Sequence, residues 1–468
     1  MKTLRYIWML CLAVVAVGFT SCDDDDEASG SSAITVTQIY LEDADATVTD
    51  RPVDFVRLGQ TIRIEGSGFK GLKELYVNGF ETYFNTAYVT NNNIIVTLDT
   101  DTPISEADPE LRNTIRLVKS GTECVYEITI RAASPVITRI DNTLPSKGET
   151  VVVYGENLQE TTVVTLPGGT QVTDITNAPE EEDGEWFSFV MPEGITQYGA
   201  LTITCANGTA ESAEYFNNKN CMILDFDGTG SHGSWGTEGE GSMIWDTDLV
   251  DDPLGTGRGT VLKLIPDRML RAGGVAAKKS RATECWTAND AMDDWSRMYE
   301  FISDTTLLTD VAFQFDIYVP QLWSETGHIQ ISLFNSFNIG GIGSDDDGEG
   351  KQCAFYCPWL VDSEIVPFTT GGRWTTVTIP FSEFRKYAFE IEDGDSPTFA
   401  DVVNERNAQE NKNFGMAFIN TDIVIDDETT FESSICTQEI YIDNWRIVPC
   451  KSEIISDFPD EEEEGVTE

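Results

Sequence analysis

The chain has 468 residues, and its 80 Asp and Glu residues outnumber its 30 Lys and Arg residues, which gives a formal net charge of −50. Such an excess of negative charge repels phosphate backbones and anionic lipid surfaces, so it argues against a nucleic-acid-binding role and favours a neutral ligand. The hydrophobic content of 40% is typical of a folded protein, and the length is enough for roughly two to four domains.

Residues 1–21 have the pattern of a secretory signal peptide. Lys2 and Arg5 precede an apolar run over residues 6–19, which is too short to cross a bilayer as a permanent helix. The run closes on small residues and Cys22 rather than on an Ala-x-Ala site. The pattern therefore predicts export, with cleavage in front of the cysteine.

A cysteine at this point resembles the lipidation site of bacterial lipoproteins. The acidic run that follows at residues 23–27 resembles the surface-export signal of Bacteroidota lipoproteins. The resemblance implies that Cys22 carries the lipid, that residues 22–33 form an acidic tether, and that the protein is anchored in the outer membrane and faces the cell exterior. An ordinary signal peptide with a chance cysteine is the alternative.

The next signal is an internal repeat with the pattern G-x-x-h-x-h-x-G-x-x-h, where h is apolar. It occurs at Gly59–Phe69 and again at Gly148–Leu158 with identical spacing. Alternating apolar residues predict a strand, and the flanking glycines permit the positive φ of tight turns. Further strands are predicted at Leu75–Asn78, Thr114–Val118 and Val125–Arg131 in the first unit, and at Thr162–Leu166, Leu201–Cys205 and near Tyr215 in the second.

The glycine pattern, preceded in the second unit by Pro-Val-Ile-Thr-Arg-Ile at residues 135–140, resembles IPT/TIG immunoglobulin-like domains. Two copies of about 85–100 residues have the size of immunoglobulin-like sandwiches. The resemblance implies two tandem spacer domains over residues 34–133 and 134–217. Ser134-Pro135 marks the joint, since proline stiffens a connection.

After about residue 217 the composition changes, and eight of the ten tryptophans lie between Trp235 and Trp445. The strands predicted here are Cys221–Phe226, Thr260–Ile265, Val311–Val319, His328–Phe334, Cys353–Leu360, Trp374–Pro380, Asn413–Ile419 and Glu439–Val448. Short helices are predicted at Asp290–Phe301 and Ala400–Asn411. This pattern favours a larger jelly-roll-like β-sandwich over residues 218–451, followed by an acidic tail at residues 452–468.

Three segments of this domain resemble carbohydrate-binding jelly rolls: Leu-Asp-Phe-Asp at residues 224–227, the Trp-initiated strand at residues 374–384, and the closing strand at residues 440–447. With the leader and the IPT/TIG units, the whole chain resembles the surface glycan-binding lipoproteins of Bacteroidota polysaccharide-utilisation systems, of the type that binds xyloglucan and other β-glucans. That type has three spacer domains, whereas this chain has two.

The resemblance implies non-catalytic capture of a neutral plant or dietary polysaccharide, such as xyloglucan, mixed-linkage glucan or laminarin. It also implies a TonB-dependent transporter complex and surface glycanases as partners. A surface glycoside hydrolase is one alternative; it would need two carboxylates about 5–10 Å apart, and no catalytic signature is visible in the sequence. A protein-binding adhesin is the other.

A sugar ring presents an apolar C–H face, which a flat aromatic ring can cover, and a rim of hydroxyls for hydrogen bonds. Candidate platform residues lie at strand ends and in loops, where ligand contacts concentrate. The resemblance implies platform residues in the regions of Trp323, Tyr356 and Trp359, which are the leading candidates. Trp286 and Trp295 come second, and Trp235 and Trp245 come third. Trp374 begins an alternating strand and is predicted to be structural, whereas both roles stay open for Trp445.

Carboxylates are too plentiful in this chain to mark a site. Asp251-Asp252, Asp345–Asp347 and Asp443 carry the hard oxygen ligands that calcium prefers, and related jelly rolls sometimes hold a structural Ca²⁺. None of these groups has the spacing of a calcium-binding loop. No cofactor is therefore predicted.

Overall fold

The computed structural model describes residues 33–42, 51–179, 182, 184–233, 244–264, 281–334, 337, 352–424, 430–434, 436 and 438–450. The predicted signal peptide, Cys22 and the acidic tail lie outside these residues. No helix among the described residues combines the length and the apolar character needed to cross a bilayer. The chain divides into two compact units, residues 1–132 and 133–468.

The first unit is an immunoglobulin-like sandwich of two four-stranded antiparallel sheets. In spatial order, one sheet contains Arg51–Pro52, Thr35–Leu41, Thr61–Ser67 and Asn93–Thr97, and the other contains Phe80–Glu81, Leu72–Val77, Thr114–Lys119 and Thr122–Glu127. A short parallel pair, Phe55–Arg57 with Thr129–Arg131, and a 3₁₀ turn at Thr86–Tyr88 complete it. Alternating residues such as Ile62, Ile64 and Leu75 are fully buried between the sheets.

The second unit begins with another sandwich of the same kind. One sheet contains Val136–Ile140, Thr150–Glu156, Trp186–Val190 and Ile175–Asn177, and the other contains Gln171–Val172, Val163–Thr165, Thr202–Cys205 and Gly208–Glu211. Its core includes Val151, Val153 and Phe187. The repeated glycine motif therefore forms the equivalent strand in both immunoglobulin-like domains.

The second glycine of the repeated pattern, Gly66 in one copy and Gly155 in the other, has the same structural role in both domains. A β-carbon at Gly66 would lie 1.9 Å from the carbonyl oxygen of Thr35, and one at Gly155 would lie 1.9 Å from that of Val136. In both domains the first strand crosses this closely and then continues past a β-bulge. Only glycine permits so close a backbone approach.

The rest of the second unit is a larger two-sheet sandwich. The six-stranded sheet runs in the order Leu249–Asp251, Thr260–Leu264, Ile440–Pro449, Val311–Tyr318 and Thr375–Pro380, with Met222–Leu224 also paired to the long strand Ile440–Pro449. The five-stranded sheet runs in the order His232–Gly233, Arg281–Thr287, Gly415–Ile419, His328–Ser332 and Cys353–Tyr356. The two sheets enclose one large apolar core.

The part of this domain that the structure describes also contains shorter elements. Two of them are hairpins, Leu360–Val361 with Glu364–Ile365 and Ile423–Val424 with Thr430–Phe431. The helices are Arg385–Glu392 and Phe399–Ala408. The 3₁₀ turns are Asp246–Asp248, Ala291–Asp293, Trp295–Glu300, Leu308–Asp310 and Phe381–Glu383.

The predicted all-β architecture, with two immunoglobulin-like sandwiches followed by a larger jelly-roll-like β-sandwich, is confirmed. The helix predicted at Asp290–Phe301 consists instead of two 3₁₀ segments, since aspartates at residues 290 and 294 accept backbone N–H groups and restart the turn. The predicted strand Cys353–Leu360 ends at Tyr356. The exact domain boundaries stay predictions.

Candidate functional site

The structure brings the three leading candidates together at one end of the larger sandwich. The ring centroids of Trp323 and Tyr356 are 6.4 Å apart, and the Tyr356 ring lies 6.3 Å from that of Phe368. Trp323 and Phe368 face each other in an antiparallel bridge with N–H···O distances of 2.7 and 2.9 Å. The Trp359 carbonyl accepts the N–H of Val366, which places it on the same strand pair. We call Trp323, Tyr356, Trp359 and Phe368 the aromatic cluster.

A tight hairpin positions the outer part of this cluster. Asp362 and Ser363 connect its two short strands, and both have positive φ values, of 49° and 65°. Two central residues with positive φ are the signature of a type I′ turn, whose twist matches that of the flanking strands. The chain that follows the returning strand brings Phe368 opposite Trp323, so the hairpin adds a fourth ring to the cluster.

The prediction that Trp323 and Trp359 form an open platform is wrong in this structure. Trp323 is 0% exposed and Trp359 is 1% exposed. The Trp323 indole N–H donates to the Thr326 carbonyl at 2.6 Å, and that of Trp359 donates to the Gly327 carbonyl at 2.8 Å. Because neighbouring backbone carbonyls accept their indole N–H groups, both rings are buried without an unpaired polar atom. They belong to the apolar core of the sandwich, behind the accessible residues.

The second pair of candidates also belongs to the interior, so that prediction is wrong as well. Trp286 is 3% exposed, packs against Phe337 with a centroid distance of 4.5 Å, and donates its indole N–H to Glu284 at 2.7 Å. Trp295 is 1% exposed and lies 3.7 Å beneath the guanidinium of Arg406. Neither ring can reach a ligand from these positions.

Three of the four remaining tryptophans of this domain lie in the described part of the chain. Trp374 is buried, which confirms its structural assignment, and Trp445 is fully buried in the same domain. Trp245 is half-buried. Trp235 lies outside the described residues.

Within the aromatic cluster, solvent reaches Tyr356 and Phe368, which are both half-buried. Around them, Leu322 is 67% exposed, and Val361 and Val366 are each 47% exposed. Desolvation raises the pKa of Tyr356 above its ordinary value, so its hydroxyl stays protonated at neutral pH. The accessible part of the site therefore consists of two half-buried aromatic side chains and an apolar rim, while the Tyr356 hydroxyl itself is buried.

Phe368 is the residue that sequence reasoning missed. Its place in the cluster depends on the antiparallel bridge to Trp323, which follows the hairpin at residues 360–365. A pairing between segments this far apart in the chain is not visible in the local sequence pattern.

The candidate calcium ligands have structural partners. Asp252 accepts the backbone N–H groups of Leu254 and Thr256 and the indole N–H of Trp374, so it organises a turn. Asp443 accepts hydrogen bonds from Asn444. Across the part of the chain that the structure describes, no group of three His, Cys, Asp or Glu residues is arranged to hold a metal ion. Asp345–Asp347 lie outside that part.

Residues 216–449 match the family model described as the surface glycan-binding protein B xyloglucan binding domain. The chain belongs to this family. A curated relative from Bacteroides ovatus, an IPT/TIG domain-containing protein, is 24% identical and covers 94% of this chain and 97% of its own. Its name agrees with the IPT/TIG resemblance that the glycine motif of the two immunoglobulin-like domains indicated.

Two solved structures of surface glycan-binding proteins resemble the chain. The crystal structure of PbSGBP-B from Prevotella bryantii has a TM-score of 0.62 and 20% identity, and it covers 90% of this chain and 100% of its own. SGBP-B from a complex xyloglucan utilization locus in Bacteroides uniformis has a TM-score of 0.42 and 18% identity over 89% of this chain and 100% of its own. The first of these supports the same multidomain fold.

Proposed function

We propose that this chain is a non-catalytic surface protein that binds a neutral polysaccharide through its C-terminal domain. The single observation that carries the proposal is the match of residues 216–449 to the xyloglucan binding domain of surface glycan-binding protein B. A β-glucan is the favoured ligand, with xyloglucan before mixed-linkage glucan and laminarin.

The chemistry of the aromatic cluster supports this ligand class. Tyr356 and Phe368 offer half-buried rings for the C–H faces of pyranose units, and Leu322 and Val366 extend the apolar surface. A neutral ligand also avoids the repulsion that the strongly negative chain would impose on an anionic polymer.

The leader pattern supports anchorage at the outer membrane through lipid on Cys22, with the chain facing outward and working beside a TonB-dependent transporter and surface glycanases. More than one acyl chain on the cysteine would make the anchorage stable. A single shallow platform binds weakly, because the ordering cost offsets much of the stacking gain. Many anchored copies facing one repeating polymer recover that affinity as avidity.

Affinity electrophoresis of the full chain tests the proposal. Gels containing xyloglucan, mixed-linkage glucan, laminarin or galactomannan are run beside a gel without polysaccharide, and the same incubations are assayed for new reducing ends. We expect retardation by a β-glucan and no new reducing ends. Release of reducing ends would assign the chain to the glycoside hydrolases, and the absence of any retardation would favour the adhesin.

Substitution of the accessible rings tests the site. The double variant Tyr356→Ala with Phe368→Ala removes both half-buried rings, so β-glucan affinity should fall about tenfold or more, in line with the loss of roughly 1.4 kcal/mol of stacking. Tyr198→Ala is the matched control, since this tyrosine is 45% exposed on the second immunoglobulin-like domain. It should leave binding unchanged.

The variant Trp359→Ala tests whether Trp359 supports the site from the interior or contacts the ligand. Deleting a buried tryptophan should cost about 3–5 kcal/mol of unfolding free energy, so this variant should melt at a clearly lower temperature. An unchanged melting temperature together with lost binding would contradict the assignment of Trp359 to the interior. Unchanged binding in the Tyr356 and Phe368 double variant would remove the proposed site.

A further inference from the structure

A second aromatic surface lies on the outer face of the six-stranded sheet. In that sheet Tyr318 is paired with Tyr441, and Tyr441 with Lys263. The Tyr318 and Tyr441 rings are stacked at 5.7 Å and 30°, and the Trp374 ring continues the row 5.9 Å from Tyr318. We call Tyr441, Tyr318 and Trp374 the outer aromatic row.

This row is separate from the aromatic cluster because side chains alternate along a strand. On the strand Val311–Tyr318, Phe315 points into the core and contacts Tyr356 with a centroid distance of 5.8 Å. Tyr318, three positions later, has the opposite parity and faces outward. The outer aromatic row therefore lies on the outer face of the six-stranded sheet, whereas Tyr356, from the five-stranded sheet, packs toward its inner face.

Trp374, at one end of the outer aromatic row, is buried, whereas the two tyrosines are partly accessible. Trp374 is 1% exposed, donates its indole N–H to Asp252 at 2.9 Å, and lies 4.9 Å below the guanidinium of Arg258. Tyr318 and Tyr441 are half-buried. The Tyr318 and Tyr441 rings stack on each other, and the Lys263 ammonium lies 5.7 Å from the Tyr441 ring centroid. The row therefore offers solvent only the uncovered parts of two pre-ordered tyrosine side chains, at little cost in side-chain entropy on binding.

The row leads into a cleft between the second immunoglobulin-like domain and the larger sandwich. Its volume is about 420 Å³, within the range of small-molecule sites. The immunoglobulin-like side contributes Asn142, Glu149 and Thr150, and the larger sandwich contributes Thr256 and Trp374. Trp374 lines the cleft and also ends the row, so the cleft adjoins the row.

The charges around this surface are paired with one another. The Lys263 ammonium lies 2.7 Å from a Glu439 carboxylate oxygen, and the Arg373 guanidinium lies 3.2 Å from an oxygen of Asp141. Arg258 lies 2.6 Å from Asp316. Each cation already has an acidic partner, so the surface suits a neutral ligand rich in hydroxyl groups rather than an anion.

We propose that the outer aromatic row and the adjoining cleft form a second glycan-binding surface, which takes another segment of the same neutral polysaccharide. This inference rests on the proposed function. The uncovered parts of the two tyrosine rings would contact sugar C–H groups, and the amide, hydroxyl and carboxylate groups of the cleft would bind sugar hydroxyls. A polymer that engages the row and the aromatic cluster together gains affinity from the high effective concentration of its second segment.

Calorimetric titration of the full chain with a xyloglucan oligosaccharide, and affinity electrophoresis with the polymer, test this inference. We expect two oligosaccharide equivalents per chain. The double variant Tyr318→Ala with Tyr441→Ala should bind one equivalent and lose about tenfold in polymer affinity, because only one of the two linked contacts remains. The corresponding Phe variants keep the rings and should retain two equivalents.

A second variant reaches the same site without removing a packed side chain. Thr150 is exposed and lines the cleft, so Thr150→Trp should fill it and also reduce the stoichiometry to one. The variant of the aromatic cluster, Tyr356→Ala with Phe368→Ala, should conversely retain the equivalent bound at the row.

The outcomes separate this inference from the proposed function. One equivalent in the unmodified chain, unaffected by the Tyr318 and Tyr441 double variant and by Thr150→Trp, would overturn the second surface and leave the proposed function standing. No glycan binding by the unmodified chain would overturn both.

Discussion

At the scale of single residues, hydrogen bonding of the indole N–H separates supporting tryptophans from contact residues. Trp323 and Trp359 lie at loop and strand-end positions, where exposure is the reasonable expectation. Their N–H groups instead reach consecutive carbonyls, those of Thr326 and Gly327, and both rings are buried. Position in a loop therefore predicts proximity to a site but not contact with the ligand.

His328 shows what burial does to a titratable residue. It is fully buried, and its ring lies 5.6 Å from that of Phe355. Neither ring nitrogen has a hydrogen-bond partner among the described residues. Desolvation lowers its pKa to about 3, so the folded chain keeps this imidazole neutral in mildly acidic solution.

His328→Leu should therefore make the chain less sensitive to acid. An unfolded histidine titrates near pH 6.5, so as the pH falls below that value the unfolded state binds a proton that the folded state does not. The free energy of unfolding of the unmodified chain consequently drops between about pH 7 and about pH 4.5 by a contribution that the variant lacks. Urea unfolding at the two pH values measures it. An equal drop in both proteins would contradict the low pKa.

At the scale of elements, the conformation of the repeated strand depends on two glycines with different structural roles. Gly148 opens the motif with a φ of +83°, and a β-carbon added there would meet no atom within 4 Å, whereas Gly155 faces the Val136 carbonyl oxygen. The first glycine supplies a backbone conformation, and the second supplies room for a crossing strand. Both tasks recur in the first domain at Gly59 and Gly66.

Alanine at the two positions should reveal this difference. Gly148→Ala should cost about 1 kcal/mol of unfolding free energy, because it only forces a non-glycine residue into the left-handed region. Gly155→Ala should cost about 3 kcal/mol or more, since the strand pair must move apart to relieve a backbone clash. Chemical denaturation of the full chain compares them. Equal costs would show that close approach is not the reason for Gly155.

At the scale of the whole molecule, a buried polar network joins the second immunoglobulin-like domain to the larger sandwich. Asp316 accepts hydrogen bonds from Arg258 at 2.6 Å and from Arg446 at 2.9 Å. Arg446 also donates to the hydroxyl of Thr143, on the immunoglobulin-like side, at 2.9 Å. The two guanidinium groups hold the pKa of Asp316 below its usual value, so its carboxylate stays charged inside the interface.

Breaking this network should destabilise the two domains together. Arg258→Met removes one cation from a buried carboxylate, which should cost about 3–5 kcal/mol. The control is Lys147→Met, since the Lys147–Glu193 pair is 64% and 76% exposed and should contribute less than about 1 kcal/mol. Scanning calorimetry measures both. Similar small losses in the two variants would indicate that the network does not couple the domains.

The sequence by itself determined the fold class, the repeated domain, and the region in which aromatic residues gather, because strand alternation and turn glycines are local properties of the chain. The resemblance to glycan-binding relatives grouped Trp323, Tyr356 and Trp359 as the leading candidates, and their proximity comes from the structure. Only the tertiary structure decided which rings meet solvent, since exposure depends on what packs over a ring from distant segments. Phe368 becomes a contact candidate through the hairpin at residues 360–365, and Tyr318 meets Tyr441 only because strands far apart in sequence pair in that register.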